Sequence, residues 1–211
     1  MIDSQGESCP VFESGKIISR YDKDGKIFAF LDEIEKYNKK VNLVSRETSR
    51  AGLEAFAADS LIPLELIPDL SGTFFDIGPG GGFPSVVLML ARPDLAGVLV
   101  ERTAKKAAFL RQVVARFNLK AEIRCHNFGD TVSGLKRGSF CFGLMKYVRL
   151  QPPLLKAALE LLTPGGQFIH FAPPDKPTGK TDERSFSVSV RNYYLDDLKR
   201  LHTLSMYTRN S

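Results

Sequence analysis

The 211-residue sequence predicts an α/β fold: a mostly parallel, seven-stranded twisted sheet with helices on both faces, preceded by an N-terminal helical extension. Short apolar runs typical of buried strands alternate with stretches of helical periodicity between residues 73 and 171. Two later segments, 185–191 and 204–207, suggest a closing antiparallel pair. We expect the extension over residues 1–70 and one α/β domain over residues 71–211.

The extension is predicted to be mainly helical. Residues 1–22 are polar and are expected to contain one short helix. Apolar residues at helical spacing predict a longer helix over 27–40, which ends in two lysines whose charge suits a helix C-terminus. An extended link over 41–44 leads to a helix over 49–66, in which Pro63 should cause a break or a bend.

Strands and helices alternate in the α/β part. The predicted strands are 73–76, 97–101, 121–125, 140–145 and 167–171, and the predicted helices are 84–91, 105–117 and 154–162. Right-handed crossovers between parallel strands bring the strand ends together at one edge of the sheet. Cys141 falls inside a predicted buried strand and is expected in the core.

The segment FFDIGPGGGFP, from Phe74 to Pro84, is the most informative in the chain. An apolar run ends in the carboxylate of Asp76, a glycine-rich turn follows, and Pro84 suits the first turn of a helix. Glycine permits positive φ and a close approach of the backbone to a ligand. A turn that directs N–H groups and a helix start at one point predicts a binding site for a molecule with an anionic end.

Three nucleotide-binding motifs compete for this turn. A phosphate-binding P-loop requires Lys and then Ser or Thr after its last glycine, whereas Gly82 is followed by Phe83. The dinucleotide fingerprint, counted from Gly78, requires glycine where Phe83 stands. The pattern that is left resembles the first motif of S-adenosylmethionine (SAM) methyltransferases, in which Asp76 would reach the ligand's ammonium group. An ordinary glycine-rich turn without a ligand stays open at this point.

A second carboxylate supports a nucleoside ligand. Glu101 ends the predicted strand 97–101 and lies 23 residues after Gly78. An acidic residue about 20 positions past such a turn is placed to bind ribose hydroxyls. The alternative is a solvated carboxylate paired with Arg102 or Lys105.

Composition bounds the remaining possibilities. The net charge of +5 and pI of about 9.1 are compatible with a polyanionic partner. The sequence has no apolar run long enough for a membrane span and no signal-peptide pattern at its start. Three widely spaced cysteines imply no disulfide framework, and the histidines have no metal-ligand spacing. We expect a cytoplasmic monomer with no metal.

Several segments resemble the RsmG (GidB) family, which methylates guanine N7 in small-subunit ribosomal RNA. The likeness runs from about Phe30 to Phe171. The segments most particular to the family lie in the predicted N-terminal helices: YNKKVNLVS at 37–45 and DSLIPL at 59–64. The other matching segments are DIGPGGGFP at 76–84, KKAAFL at 105–110 and LTPGG at 162–166.

The resemblance implies a Rossmann-like SAM methyltransferase fold, SAM as cofactor, and ribosomal RNA or the small ribosomal subunit as partner. It implies cofactor contacts at the glycine turn, at Glu101, at the turn after the third strand and at Lys146. With the motif itself, the predicted cofactor-binding residues are Asp76, Gly78, Gly80, Gly82, Phe83, Glu101, Arg102, Phe128, Gly129 and Lys146.

The chain departs from the family pattern at three places. The family has a His before its DSL segment, where this chain has Ala57 and its neighbours. It has Arg-Ala after the fourth strand, where this chain has Lys146-Tyr147, and Lys-Gly after the fifth, where this chain has Ala172-Pro173. Arg and Lys are not equivalent where a planar fork or a stack is needed.

The chemistry of the implied reaction requires little of the side chains. Guanine N7 carries a lone pair and no proton, so its methylation needs positioning in a polar, dry site and no general base. No catalytic residue is therefore predicted. Methylation of an exocyclic amine usually uses an Asn- or Asp-Pro-Pro-aromatic segment after the fourth strand, which is absent there. Pyrimidine C5 methylation needs a cysteine nucleophile, and Cys141 is expected in the core.

Basic residues suit an RNA surface, because phosphate contacts give salt-dependent affinity and positioning. Tyr147 is predicted to stack on a target base, and Arg50 joins the basic cluster near the N-terminal helices. Two alternatives stay open: a methyltransferase of small molecules, and an RNA-binding module without turnover. The predicted substrate-binding residues are Lys39, Lys40, Arg46, Tyr147 and Arg149.

Overall fold

The computed structural model describes residues 9–132, 134–174, 185–196 and 200–210. Its helices are α1 (Ser14–Tyr21), α2 (Lys26–Asn38), α3 (Arg50–Leu66), α4 (Ser85–Ala91), α5 (Ala104–Arg116), α6 (Phe128–Val132) and α7 (Pro152–Leu161). Its strands are β1 (Val11–Phe12), β2 (Thr73–Ile77), β3 (Ala96–Val100), β4 (Ala121–Arg124), β5 (Phe140–Met145), β6 (Leu162–His170), β7 (Phe186–Leu195) and β8 (Leu201–Arg209).

One eight-stranded sheet organises the chain, in the order β1-β7-β8-β6-β5-β2-β3-β4. The five strands from β4 to β6 in that order are parallel, and β8 is antiparallel to both β6 and β7. The mostly parallel α/β fold is confirmed, with one strand more than predicted. The additional strand is β1, which pairs over two residues with β7 and is too short to leave a periodic pattern in the sequence.

Helices cover both faces of the sheet, as predicted. One core lies under α1 to α5 and includes Phe30 and Leu61 of the extension together with sheet residues such as Phe74. The other lies under α6 and α7 and includes Leu155 and Phe168. The extension therefore shares a core with the sheet, and the division after residue 70 stays a prediction. Among the described residues, no helix is both long enough and apolar enough to span a membrane.

Within the helices and strands, the structure differs from the expectations at Pro63 and at Cys141. Helix α3 continues through Pro63 to Leu66, so it is not broken there, and the alternative of a bend stays a prediction. Pro63 is buried in a helix whose packing stabilises it, and such packing outweighs local propensity. Cys141, expected in the core, is exposed in β5. Its neighbour Gly72 has no side chain to cover the sulfur, and an added Cβ there would lie 2.5 Å from Sγ.

Candidate active site

A cavity of about 870 Å³ opens at the carboxyl ends of the parallel strands. The N-terminal extension contributes residues 43–45 and Phe56 to its wall. Ligands of open α/β sheets bind at this edge, so the cavity is the candidate site. The four loops that follow β2, β3, β4 and β5 contribute residues 78–81, 101–103, 126–129 and 146–149.

The loop over 41–44, which we call the wall loop, lines the cavity with Leu43 and Val44 and is bent, whereas an extended link was predicted. The side-chain oxygen of Asn38, at the end of α2, accepts the N–H groups of Leu43 at 2.9 Å and of Val44 at 3.1 Å. Such side-chain bonds offer the backbone an alternative to regular structure. The asparagine therefore turns the chain so that Leu43 and Val44 face the cavity.

The predicted glycine turn follows β2. It closes where the N–H of Gly82 donates to the carbonyl oxygen of Pro79 at 2.7 Å. Gly82 has a φ of 103°, and an added Cβ would lie 2.8 Å from Val86 and 3.0 Å from Phe30. Because a side chain has neither a relaxed backbone nor space at this position, glycine is required for the turn to pack between α2 and α4.

Glu101 is buried on the cavity wall, 5% exposed. Its carboxylate accepts the N–H of Gly80 at 3.1 Å and the N–H of Thr103 at 2.8 Å. The solvated alternative, with a pair to Arg102 or Lys105, is therefore wrong. An ionised carboxylate has about four acceptor positions, so about two are left for a ligand.

Asp76 lies beneath the turn and is not on the cavity wall. It is fully buried in β2, and neither oxygen has a partner in hydrogen-bonding geometry among the described residues. Burial raises the pKa of Asp76 to about 7; the Glu101 carboxylate adds to this rise, while Ser85 and Lys146 oppose it. A cation placed nearby would favour the ionised form.

A buried ion pair lies at the end of β5. Lys146 Nζ is 2.7 Å from Asp59 Oδ2 of α3, and both side chains are buried. Burial lowers the pKa of Lys146, and the Asp59 carboxylate opposes this effect. Burial alone would raise the pKa of Asp59, but the Lys146 ammonium and hydrogen bonds from His202 and Tyr193 hold this pKa below its usual range.

Tyr147 stands at the mouth of the cavity and is 67% exposed. Its φ of 58° is in the left-handed region, which is uncommon for a residue other than glycine. The ring packs edge-on against Phe56 at 5.9 Å. The carbonyl oxygen of the next residue, Val148, lies 3.2 Å from His170 Nε2. The loop after β5 is thereby held with an aromatic face toward solvent.

The structure brings most of the predicted site residues together. Asp76 and Gly82 lie beneath the wall instead of on it, and the roles of all these residues stay predictions. The predicted cofactor-binding residues that line the cavity are Gly78, Gly80, Phe83, Glu101, Arg102, Phe128, Gly129 and Lys146.

The predicted substrate residues divide into two groups. Tyr147 and Arg149 line the cavity, whereas Lys39, Lys40 and Arg46 are exposed beside the wall loop. Within the described part of the chain no carboxylate forms an ion pair with Lys39, Lys40 or Arg46.

Arg50, which the sequence placed in the same basic cluster, differs from these residues. Its guanidinium pairs with three carboxylates, those of Asp32, Glu35 and Glu54.

Sequence reasoning missed several wall residues, among them Lys106 and Phe56, and the partner of Lys146. Lys106 of α5 lines the cavity, with its Nζ 3.9 Å from the position of an added Cβ on Gly80. Its position in the sequence, five residues after Glu101, could have indicated that Lys106 lines the cavity. Phe56 and Asp59 reach the site from α3, and no local pattern predicts that contact.

Comparison with known proteins decides the family. The GidB family model, described as rRNA small subunit methyltransferase G, matches residues 23–190. The chain belongs to this family. The match includes both distinctive N-terminal segments, 37–45 and 59–64, and the four cavity loops. The resemblance seen in the sequence is thereby confirmed.

Relatives with the name ribosomal RNA small subunit methyltransferase G occur in several bacteria. That of Desulfotalea psychrophila is 38% identical over 107 residues, covering 50% of this chain and 49% of the relative. That of Rhodopseudomonas palustris strain BisB5 is 34% identical over 147 residues, covering 68% and 62%. That of Geobacter sp. strain M21 is 32% identical, covering 66% and 64%. This chain spans less than two thirds of the length of each.

Solved structures share the fold at low sequence identity. A putative O-methyltransferase from Klebsiella pneumoniae superposes with a TM-score of 0.66 at 13% identity, covering 94% of this chain and 96% of that one. The O-methyltransferase from Bacillus cereus in complex with SAH gives 0.61 at 17% identity, covering 93% and 100%. The predicted Rossmann-like methyltransferase fold is therefore confirmed.

Proposed function

We propose that the chain is a SAM-dependent methyltransferase that acts on N7 of a guanine in small-subunit ribosomal RNA. One observation carries the proposal: the glycine turn and Glu101 open onto the same cavity, joined by the hydrogen bond from Gly80 to the Glu101 carboxylate. Membership of the family, and the names of its relatives, support the activity and the RNA substrate.

The cavity residues fit SAM in size and in donor set. A volume of about 870 Å³ is within the range of about 300–1,000 Å³ for ligand pockets. Glu101 keeps about two acceptor positions for ribose hydroxyls. Gly80, with a φ of 56°, has open space around an added Cβ out to 3.9 Å, so its backbone can approach a ligand closely. SAM, when bound, supplies an activated methyl group on a sulfonium.

Strand order gives the cavity two ends. Because β3 and β4 lie on one side of β2 and β5 lies on the other, Glu101 and Phe128 are on the side opposite Lys146 and Tyr147. We call the glycine turn 78–83 with Glu101 the nucleoside end, and the end of β5 with Asp59 the acceptor end. If Glu101 binds the ribose, Lys146 and Tyr147 would be left to hold the acceptor base at the other end of the cavity.

The chain's part in the reaction is positioning. Transfer would form the bond from N7 to carbon as the bond from carbon to sulfur breaks, and because N7 carries no proton, no side chain has to remove one. The enzyme has to hold the nucleophile, the carbon and the sulfur in line, which lowers the barrier through orientation. The exposed ring of Tyr147 would stack on the target base, a contact worth about 1–3 kcal/mol.

The basic residues beside the cavity would position the RNA. Lys39, Lys40 and Arg46 stand near the wall loop, and Arg149 lies on the opposite loop. Reversing Lys39 and Lys40 to Glu should weaken RNA binding and flatten its salt dependence without changing SAM affinity. If ribosomal RNA is the substrate, a cytoplasmic location is expected. The cytoplasmic location and the monomeric state both stay predictions.

The test uses labelled SAM. Binding is measured first, and transfer to purified small-subunit RNA follows, with mass analysis of the methylated nucleoside. The proposal expects 7-methylguanosine. SAM binding without transfer to RNA would favour a small-molecule acceptor, and the absence of SAM binding would favour an RNA-binding module. A methyl group on another purine or pyrimidine atom would refute the N7 assignment.

A further inference from the structure

Asp59 has partners from three other elements of the fold. Its Oδ2 lies 2.7 Å from Lys146 Nζ, and its Oδ1 accepts the hydroxyl of Tyr193 at 2.5 Å. His202 Nδ1 lies 3.2 Å from the same Oδ1. Asp59 belongs to α3, Lys146 follows β5, Tyr193 is in β7 and His202 is in β8. One carboxylate therefore connects the N-terminal extension, the cavity and the C-terminal strands.

Lys146 is both buried and on the cavity wall, only 2% exposed. One of its three N–H groups meets Asp59, and a second points toward the Phe56 carbonyl oxygen at 3.5 Å. Its ammonium lies 5.3 Å from the Tyr147 ring centre and 5.0 Å from that of Phe171. Such a cation needs a fixed counter-charge, because an unpaired buried charge is costly.

The C-terminal strands β7 and β8 fix the orientation of that counter-charge. Tyr193 and His202 occupy Oδ1, which leaves Oδ2 facing Lys146. The two rings also pack on each other, with centres 5.2 Å apart. Rotation of the carboxylate would break these bonds. The position of the ammonium therefore depends on residues that do not line the cavity.

We propose that Asp59 is a positioning residue that holds the Lys146 ammonium at the acceptor end, and that Tyr193 and His202 make the strand pair β7–β8 part of the site. This inference rests on the proposed function, since it assumes that Lys146 contacts a ligand in that cavity. Asp76 is the other carboxylate that acts on Lys146. Asp59 acts on the ligand only through the ammonium.

The first experiment is a double-mutant cycle on methyl transfer. Asp59→Asn and Lys146→Met should each lower kcat/KM by about 10-fold to 100-fold, the range for a lost hydrogen bond to a charged group. The double variant should be no worse than Lys146→Met alone, because Asp59 has no route except through Lys146. If the loss of kcat/KM in the double variant equals the product of the two single losses, the two residues act independently and the proposal is overturned. Glu54→Gln, which removes a surface ion pair on the same helix, is the matched control and should change nothing.

The second experiment needs no acceptor RNA, so it separates failure of this inference from failure of the proposed function. Reductive methylation of Lys146 by formaldehyde and borane is followed against pH by peptide mass spectrometry. Removing a carboxylate at this distance should move the reactivity midpoint down by about 1–3 pH units. Tyr193→Phe keeps the ion pair but frees Oδ1; it should move the midpoint by less, and it protects the test if Asp59→Asn does not fold. Midpoints equal to wild type in both variants would refute the proposal.

Discussion

The two ends of the cavity are built in opposite ways. At the nucleoside end, backbone N–H groups hold Glu101, and every participant lies between residues 78 and 103. At the acceptor end, side chains hold Lys146, and the bond from Tyr193 to Asp59 joins residues 134 positions apart. The nucleoside end is formed by two loops that lie close together in the sequence and are connected by one crossover, from β2 through α4 to β3. The acceptor end exists only when the extension and the C-terminal strands are packed in place.

The three departures from the family pattern that the resemblance implies all fall at one of these two ends. Lys146-Tyr147, Ala57 and Ala172-Pro173 all lie toward β5, β6 and α3, around the acceptor end, and the nucleoside end carries none of the three changes. Ala57 is buried in α3, two positions before Asp59, and the carbonyl oxygen of Ala172 accepts the Ser205 hydroxyl of β8 at 2.6 Å. At the acceptor end the contacts that fix Lys146 are side chains, which substitution can change, whereas the N–H groups that hold Glu101 belong to the backbone.

The largest expected effect is on stability at the acceptor end. Asp59→Leu leaves a buried ammonium unpaired and should lower the free energy of unfolding by about 3–5 kcal/mol. Adding Lys146→Met should restore part of this loss, because no charge is then left unpaired, while the buried Tyr193 hydroxyl still lacks its acceptor. Urea unfolding of the single and double variants measures both effects. If the single variant and the double variant lose the same free energy of unfolding, the two charges are not energetically coupled.

The next effect concerns Asp76 under the nucleoside end. Its pKa is about 7 in the folded protein against 3.8 ordinarily, so between these values the folded state keeps a proton that the unfolded state has released. The free energy of unfolding should therefore fall as pH rises from 4 to 7 and level off above 7, by about 4 kcal/mol in total. Asp76→Asn should remove this dependence. If the free energies of unfolding of the wild type and of Asp76→Asn change with pH in the same way, the pKa of Asp76 is not raised in the folded protein.

A smaller effect is expected on ligand affinity at the nucleoside end. Glu101→Ala removes the proposed ribose acceptor and should weaken SAM binding by about tenfold or more, from charged hydrogen bonds worth about 1.5–3 kcal/mol. Calorimetry gives the affinity. Glu122→Ala, which removes an exposed carboxylate paired with Arg124 on the neighbouring strand β4, is the control outside the predicted cofactor contacts. Unchanged affinity in Glu101→Ala would remove the ribose role.

The smallest effect should distinguish the two ends from each other. Tyr147→Ala removes an exposed ring and should reduce methyl transfer through a lost stacking contact of about 1–3 kcal/mol, with SAM affinity unchanged. Tyr147→Phe should retain activity, because stacking needs the ring alone. Transfer assays and calorimetry on both variants supply the comparison. A loss of SAM affinity in Tyr147→Ala would place the cofactor at the acceptor end.

Much of the fold could be predicted because its signals are local. The strand predicted at 140–145 is β5 as observed, and the turn after β2 follows from its glycines. Three of the differences share a cause. Strand β1, the continuous helix through Pro63 and the exposure of Cys141 each depend on a neighbour far along the chain, and periodicity carries no information about such neighbours.

The sequence by itself determined the α/β class, the family and the nucleoside end, because a strand, a glycine turn, a crossover helix and a second acid follow one another within about 30 residues and parallel strands connect with one hand. Only the tertiary structure decided the acceptor end. The partner of a buried charge depends on which side chains are packed beside it. Asp59 contacts Lys146, Tyr193 and His202 only after four separate elements have assembled.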